Sequence, residues 1–554
     1  MWRFFEFFVM YWRITFLIVY PIVTLPIIFV NNIKPFRCLY CFGIMCALWM
    51  TEAIPPAITS ILPIPLFSLM GVQSTDEVAH NYMNDTNMML IGSVAIAIAM
   101  ENSGLHIRIA LGTIKCIGCS LKKLHVGLGM VTMFISMWIA NTAATALMIP
   151  IVEGTLLALE REGLINRWYE VPGEAESDWR PTRITKCYYI SIAYCSLLGG
   201  TGCIIGSGSH LAFKGIYEKT FPTSPGVEFA KWMMFNVPVM LISNVLMIIW
   251  LQILYMGMFR PKSEAAKQLA VGIEAAAATK AVIDKKIEDL GPMSFKEFSV
   301  AICFIMAIVL WFFRRPGFMK GWPLLITDEK CGDAVVAITV FVLFFLIPID
   351  PGCLYFFSSN EEKRPTGESP GILTWKVFTQ KMHWNMVLVL GGGFAMADAA
   401  KKSGMAIMVA EYFVPFLSKT KFFNMLVFCG TGSIITQFLS SNVACVTILT
   451  PIVLDMCVVS KIHPMYLGLS TALACCYSYF LPVSTPPNAL VAGPSRMGAK
   501  DMMVSGSGSF VVCLSMLVTI FPVYSPLIWD FEFPDWAAIE NVTTISPKAT
   551  DFFL

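Results

Sequence analysis

The sequence predicts an all-α polytopic membrane protein made of two related halves. Three observations carry that expectation. Of 554 residues, 56% are hydrophobic and only 14% charged, whereas soluble domains run nearer a quarter charged. Apolar runs long enough to cross a bilayer as a helix, about 20 residues, recur along the whole chain. Two blocks of the first half also return, in order, 300 residues later.

The N-terminal stretch "MWRFFEFFVMYWRITFLIVYPIVTLPIIFV" lacks a small-residue cleavage site, and Arg3 and Arg13 precede the run that spans. It reads as a retained first helix that starts in the cytoplasm. Candidate spans lie near 13–31, 38–52, 56–72, 87–103, 124–158, 187–212, 232–258, 297–313, 333–349, 384–400, 421–457, 465–495 and 504–529. Several are too long for one crossing or are broken by Gly and Pro. Broken segments are tolerated at membrane depth only where they are buried in protein or line an aqueous cavity. Pro55-Pro56 reads as a turn between helices, with Glu52 near an interface.

Two polar stretches, 159–186 and 259–296, interrupt the spans. The second carries Arg260, Lys262, Lys267, Lys280, Lys285, Lys286 and Lys296, and its Ala, Lys and Glu content suggests a surface helix. Basic residues beside spans favour the cytoplasm, so both stretches are expected inside. The tail after residue 530 has one basic residue, Lys548, and the sequon Asn541-Val542-Thr543. It is expected outside with a glycan on Asn541, which requires an odd number of crossings.

The repeat is specific. "LIGSVAIAIAMENSG" (90–104) aligns with "LGGGFAMADAAKKSG" (390–404) at an offset of 300, and "FISMWIANTAATALMIPIV" (134–152) aligns with "FLSSNVACVTILTPIV" (438–453) at 301. Asn141 falls on Asn442, and Pro150 on Pro451. Downstream of each Asn comes a second interrupted stretch, "LLGGTGCIIGSGSHLAF" (197–213) or "YFLPVSTPPNALVAG" (479–493). Pro486-Pro487 removes two backbone donors, and the glycines let backbone approach a ligand closely. An unwound turn frees carbonyls for a cation, while the half-helix that follows presents N–H groups to an anion. Repeats with helix breaks in matching places point to a secondary transporter whose site lies between the halves.

Other chemistries lack a foundation. A net charge of +2 with no dense basic tract gives no argument for nucleic acid, and no nucleophile–base pair marks an enzyme. The 17 cysteines are scattered through apolar segments, and the pairs Cys38/Cys41 and Cys116/Cys119 have no His close by, so packing is the expected role.

The motifs carry a family resemblance. "SNV" (441–443), "ANT" (140–142) and "LPVSTPPNALV" (481–491), with "NDTNMMLIG" (84–92), "RPKSEAAK" (260–267), "DLGPMS" (289–294) and "LGGGFAMA" (390–397), are the residues concerned. Over nearly its whole length the chain resembles the divalent anion/sodium symporter family (solute carrier family 13), and within it the INDY-type citrate and dicarboxylate carriers. The resemblance implies a homodimer of about eleven transmembrane helices per protomer, two re-entrant hairpins, inverted repeats and an elevator-type transport domain moving on a scaffold. It implies a substrate site of Asn141, Thr142, Ser441, Asn442 and Val443. A second-half cation site would comprise Ser441, Asn442, Ser484, Thr485 and Asn488, and a first-half site Ser136, Asn141, Gly200 and His210. The ion is expected to be sodium. The first-half site departs from the family pattern twice: Ala140 stands where the family has Ser, and His210 where it has Asn.

The expected function is therefore secondary active transport of Krebs-cycle di- and tricarboxylates across the plasma membrane, by sodium symport or sodium-independent exchange. The motif stretches contain no Lys or Arg, so substrate charge would be met by helix N-termini and co-bound cations. A sulfate carrier of the same fold and an anion channel are the competing expectations. The expected divisions are 1–72 (N-terminal and scaffold helices), 73–258 (first repeat), 259–296 (cytoplasmic linker), 297–530 (second repeat) and 531–554 (exoplasmic tail).

Overall fold

The computed structural model describes residue 6 and residues 10–539, apart from 31, 118–119, 162, 164, 170–178, 261–271, 317–318, 330, 353–355, 357–366, 414, 416 and 419. Asn541, Arg3, Lys262, Lys267 and Cys119 lie outside the described residues, as does the expected exoplasmic tail from 540.

The described chain is helical almost throughout. The first half runs through α1 (Trp12–Thr24), α2 (Lys34–Thr51), α3 (Asp85–Ser103), α4 (Leu105–Ile117), α5 (Leu121–Ser136), α6 (Asn141–Arg161), α7 (Arg183–Gly199), α8 (Gly208–Thr220) and α9 (Phe229–Tyr255). Then come α10 (Gly272–Asp289), α11 (Phe295–Phe312) and α12 (Ala334–Leu346). The second half contains α13 (Trp384–Ser403), α14 (Met405–Phe413), α15 (Lys421–Phe438), α16 (Asn442–Val459), α17 (Pro464–Ala474), α18 (Pro486–Ser495) and α19 (Ala499–Tyr524). The polar stretch before α7 contributes one small antiparallel pair, Trp168–Tyr169 with Arg180–Pro181.

Local sequence explains the ends. Asn84 caps α3 through the Asn87 N–H, Thr182 caps α7 through Thr185, and Ser294 with Glu297 forms a capping box on α11. The repeated Ser-Gly pair terminates a helix in both halves. Gly104 and Gly404 take left-handed conformations, with φ of 78° and 75°, and α4 and α14 start at the next residue. A side chain at either position would be strained, so the repeat is written in backbone as well as in letters.

The expected surface helix is present as α10, and its Asp284 pairs with Lys115 of α4 at 2.9 Å. The over-long candidate spans resolve into broken elements. Residues 124–158 become α5 and α6, 187–212 become α7 and α8, 421–457 become α15 and α16, and 465–495 become α17 and α18. Seven helices among the described residues are long and apolar enough to cross a membrane, starting at Trp12, Thr75, Asn141, Phe229, Phe295, Asn442 and Ala499.

Packing is reciprocal between the halves. Each hairpin packs on its own broken helix, α5 and α6 on α7, and α15 and α16 on α17. Across the halves, α8 packs on α16 and α18 on α6, while α9 lies along α19. This crossing brings both hairpins and both helix breaks to one place. Outside it, Cys38, Cys41 and Met45 of α2 join one apolar cluster with Ala395 and Ala399 of α13 and Met405 of α14.

Candidate functional site

Each hairpin has an unwound tip. Residues 137–140 separate α5 from α6, and 439–441 separate α15 from α16. Asn141 and Asn442 are the first residues of the helices that follow, so unpaired N–H groups of both helix N-termini gather at the tips. Asn141, Thr142, Ser441, Asn442 and Val443 are all half-buried. Ser441 caps α16 by accepting the Ala444 N–H at 3.3 Å. Ala140, at the matching place, has no oxygen to offer. The second tip also reaches Glu52, whose carboxylate accepts the Ser440 hydroxyl.

The downstream helices break in the same way. α7 passes through short 3-10 turns at Gly200–Gly202 and Ile204–Gly206 before α8, and α17 is separated from α18 by extended residues and the turn Pro482–Ser484. Ser207 and Thr485 stand in extended conformation just before the resumed helices. Close approach requires glycine at Gly200, where a Cβ would clash with the Asn141 side-chain amide.

One hydroxyl ties tip to break in each half. Ser136 Oγ donates to the Ser196 carbonyl at 2.7 Å and lies 2.9 Å from the Asn141 amide. Its single proton is then spent, so the amide turns its NH2 toward Ser136, from where it also donates to the Gly206 carbonyl at 3.3 Å. Thr436 repeats the arrangement: it donates to the Cys475 carbonyl at 2.7 Å and lies 3.0 Å from Asn442 Oδ1. Thr436 follows Ser136 by 300 residues, a signal within the repeat that motif reading passed over.

The second half gathers further groups. Ser478 Oγ donates to Asn442 Oδ1 at 3.0 Å, and Asn488 Nδ2 donates to the Ser478 and Leu481 carbonyls and to Ser484 Oγ at 3.0, 3.2 and 3.3 Å. Asn488 Oδ1 is fully buried and has no hydrogen-bond partner among the described residues. A buried neutral oxygen left unpaired is costly, and a small cation is a natural partner for it. Thr485, at the N-terminus of α18, is buried beside these groups in sequence. Gln437 holds the unwound backbone in place: Nε2 donates to the Tyr477 and Ser433 carbonyls, and Oε1 accepts the Tyr479 and Phe480 N–H groups at 3.0 and 3.1 Å.

The first half is built differently at His210. This side chain is fully buried, its Nε2 is 3.3 Å from Cys476 Sγ, and its ring centroid is 5.0 Å from that of Trp232. The contact joins the first-half site to the second half. Ser136, Asn141 and Gly200 therefore come together around one tip, and Asn442, Ser484 and Asn488 around the other, with Ser478 as the link. The two clusters are neighbours: a Cβ on Gly208 would lie 3.1 Å from Val443 Cγ2. Beside the first tip opens a small crevice, walled by residues 138–140, Ala143, 205–208 and one face of α3.

Comparison with known proteins assigns the family. The family described as "Sodium:sulfate symporter transmembrane region" matches residues 8–529. The chain belongs to this family. It is 39% identical over 556 residues to "Protein I'm not dead yet" of Drosophila melanogaster, covering 98% of this chain and 94% of that one. It is 35% identical to the Na(+)/citrate cotransporter of Mus musculus, covering 95% and 96%, and 30% identical to Na(+)/dicarboxylate cotransporter 3 of Rattus norvegicus, covering 97% and 96%. Among solved structures, the Alcanivorax borkumensis YdaH transporter matches with a TM-score of 0.51 at 12% identity, covering 82% of this chain and 88% of that one. Neisseria gonorrhoeae MtrF matches at 0.50 and 12%, covering 81% and 83%. At such identities the structural likeness concerns the fold, which is that of membrane transporters. The chain is thus a multi-pass membrane protein of the INDY-type branch of solute carrier family 13, a family of transporters rather than enzymes.

Proposed function

We propose that the chain is a secondary active transporter that carries di- and tricarboxylates, citrate and succinate among them, across the plasma membrane. The observation that carries this reading is the paired construction of Asn141 and Asn442, each opening a helix at a hairpin tip and each tied by a hydroxyl to a carbonyl at the end of the helix that precedes the break. Relatives named Na(+)/citrate and Na(+)/dicarboxylate cotransporters support the substrate class.

The residues divide the work. The N–H groups at the starts of α6 and α16, with the side chains of Asn141, Thr142, Ser441 and Asn442 and the contact surface of Val443, receive carboxylate oxygens. Asn488 Oδ1, Ser484, Thr485 and the Ser441–Asn442 tip would hold a co-transported sodium ion, whose charge offsets that of the substrate. The first-half site, with Ser136, Asn141, Gly200 and His210, would hold sodium weakly, because Ala140 supplies no hydroxyl and His210 is engaged with Cys476. Coupling then rests on the second half, as symport or as exchange.

The wider architecture we propose is a homodimer in contact with membrane lipid, moving by an elevator mechanism, with inverted repeats at 73–258 and 297–530, scaffold helices in 1–72, a cytoplasmic linker at 259–296, a cytoplasmic N-terminus and an extracellular tail glycosylated at Asn541. Uptake of labelled citrate, succinate and sulfate into proteoliposomes, with and without a sodium gradient, tests the function. Saturable carboxylate uptake supports it. Uptake of sulfate alone would instead favour the second reading, an inorganic anion carrier, which the family's description suggests.

A further inference from the structure

The crevice beside the first tip has a charged wall that the motif residues do not supply. Lys381 and Glu101 both line it, and their ion pair is 2.6 Å long. Lys381 ends the short helix Trp375–Lys381, and Glu101 sits near the end of α3, so the pair bridges two elements distant in sequence. The rest of the α3 face along the crevice is Leu90, Ser93, Val94, Ala97 and Ile98, which holds no charge. The starts of α6 and α8 also border the crevice, through Ala140, Ala143, Ser207 and Gly208, and N–H groups at helix N-termini favour an anion. Lys296 adds a second positive group at this end, its Nζ donating to the carbonyl of Asn102, next to Glu101, at 2.8 Å.

We propose that Lys381 is a substrate-contacting residue that selects by substrate charge: it receives a carboxylate of the bound anion, with Glu101 as its placeholder when the crevice is empty. The inference rests on the carboxylate-transport reading above. The lysine ammonium is a point charge on a flexible four-carbon stem, and about two-fifths of its side chain is exposed (39%), so it can change partner without being dug out of a core. Exposed ion pairs are weak, so a carboxylate delivered by the substrate competes well with Glu101. Two carboxylates of a dicarboxylate are met at the hairpin tips. A third carboxylate, as in a tricarboxylate, projects to the wall, where Lys381 is the cation lining the crevice. Lys381 therefore matters more for a trianion than for a dianion.

The test is uptake of labelled citrate and succinate into proteoliposomes holding the full chain, measured as half-saturation and maximal rate per reconstituted protein. Lys381→Gln is expected to raise the half-saturation concentration for citrate about tenfold and for succinate about twofold, the scale of one lost charge contact in a wetted site. Lys381→Arg keeps the charge and is expected to stay near wild type. Glu101→Gln frees the lysine and is expected to lower the citrate value. Equal shifts for both anions, or no shift in Lys381→Gln, overturn the proposal. If Lys381→Gln does not reconstitute, a citrate value in Glu101→Gln at or above wild type overturns it equally well. Wild-type protein that takes up neither carboxylate contradicts the functional reading itself and is a separate outcome.

Discussion

His210 and Asn488 occupy the same place in the two halves: each is the third residue of the helix that resumes after the break, and each is fully buried. Asn488 ties three groups of its own unwound segment and leaves Oδ1 unpaired, whereas His210 reaches across to Cys476 of the other half through Nε2 and leaves Nδ1 unpaired among the described residues. Fold repetition is therefore complete where chemistry is not, and the two breaks are expected to treat cations differently.

Asn488→Ala removes the unpaired oxygen and strands the Ser478 and Leu481 carbonyls. Losing these buried partners costs about 1–3 kcal/mol, so uptake is expected to fall by roughly tenfold or more, with sodium activation shifted to higher concentration. Uptake against sodium concentration, normalised to surface protein, checks this. An unchanged sodium curve would contradict the assignment of Asn488.

Restoring the family pattern with Ala140→Ser and His210→Asn together gives the first tip a capping hydroxyl and the first break a neutral amide. Sodium activation should become steeper, its cooperativity rising above that of the wild type. A wild-type curve already steep and cooperative, and unmoved by the double change, speaks against a weak first site.

Thr436 and Ser136 should tolerate only a hydroxyl. Thr436→Ser preserves the bond to the Cys475 carbonyl and is expected to transport near the wild-type rate. Thr436→Val leaves that carbonyl unpaired at a cost of about 1–3 kcal/mol. Maximal rate per surface protein distinguishes the pair, and equal activity in the two variants would remove Thr436 from the site.

Gln437→Leu deletes four hydrogen bonds to the unwound segment at 477–480 and Ser433. Gln437→Glu keeps the two acceptor contacts while turning two donors into clashes with carbonyls. Both are expected to lower maximal uptake, with greater protease sensitivity of the purified protein. Wild-type transport in both would make this side chain a bystander.

How much of this was legible varies by residue. The helix breaks were, because Gly200, Gly206 and Pro486-Pro487 cannot be read as ordinary spans. The exact turning points between α5 and α6 and between α15 and α16 were not, since the tip residues Trp138, Ile139 and Leu439 are as apolar as the helices they join, although 124–158 and 421–457 are too long for one crossing. Thr436 was within reach through its 300-residue spacing from Ser136. Gln437, which follows Thr436, was hidden because the residue that follows Ser136 is the apolar Met137, which signals nothing. Lys381 lies outside the motif stretches, and only the folded chain carries it to the crevice.

Counterflow tests the central claim most directly. Proteoliposomes preloaded with unlabelled citrate or succinate are given labelled substrate outside, for the wild type and for Asn141→Ala and Asn442→Ala at matched reconstitution. Trans-stimulated uptake by the wild type, lost in both variants, is the predicted result. Uptake in the wild type that preloading does not accelerate, or stimulation that survives intact in either variant, would contradict a carboxylate carrier built around the two tips.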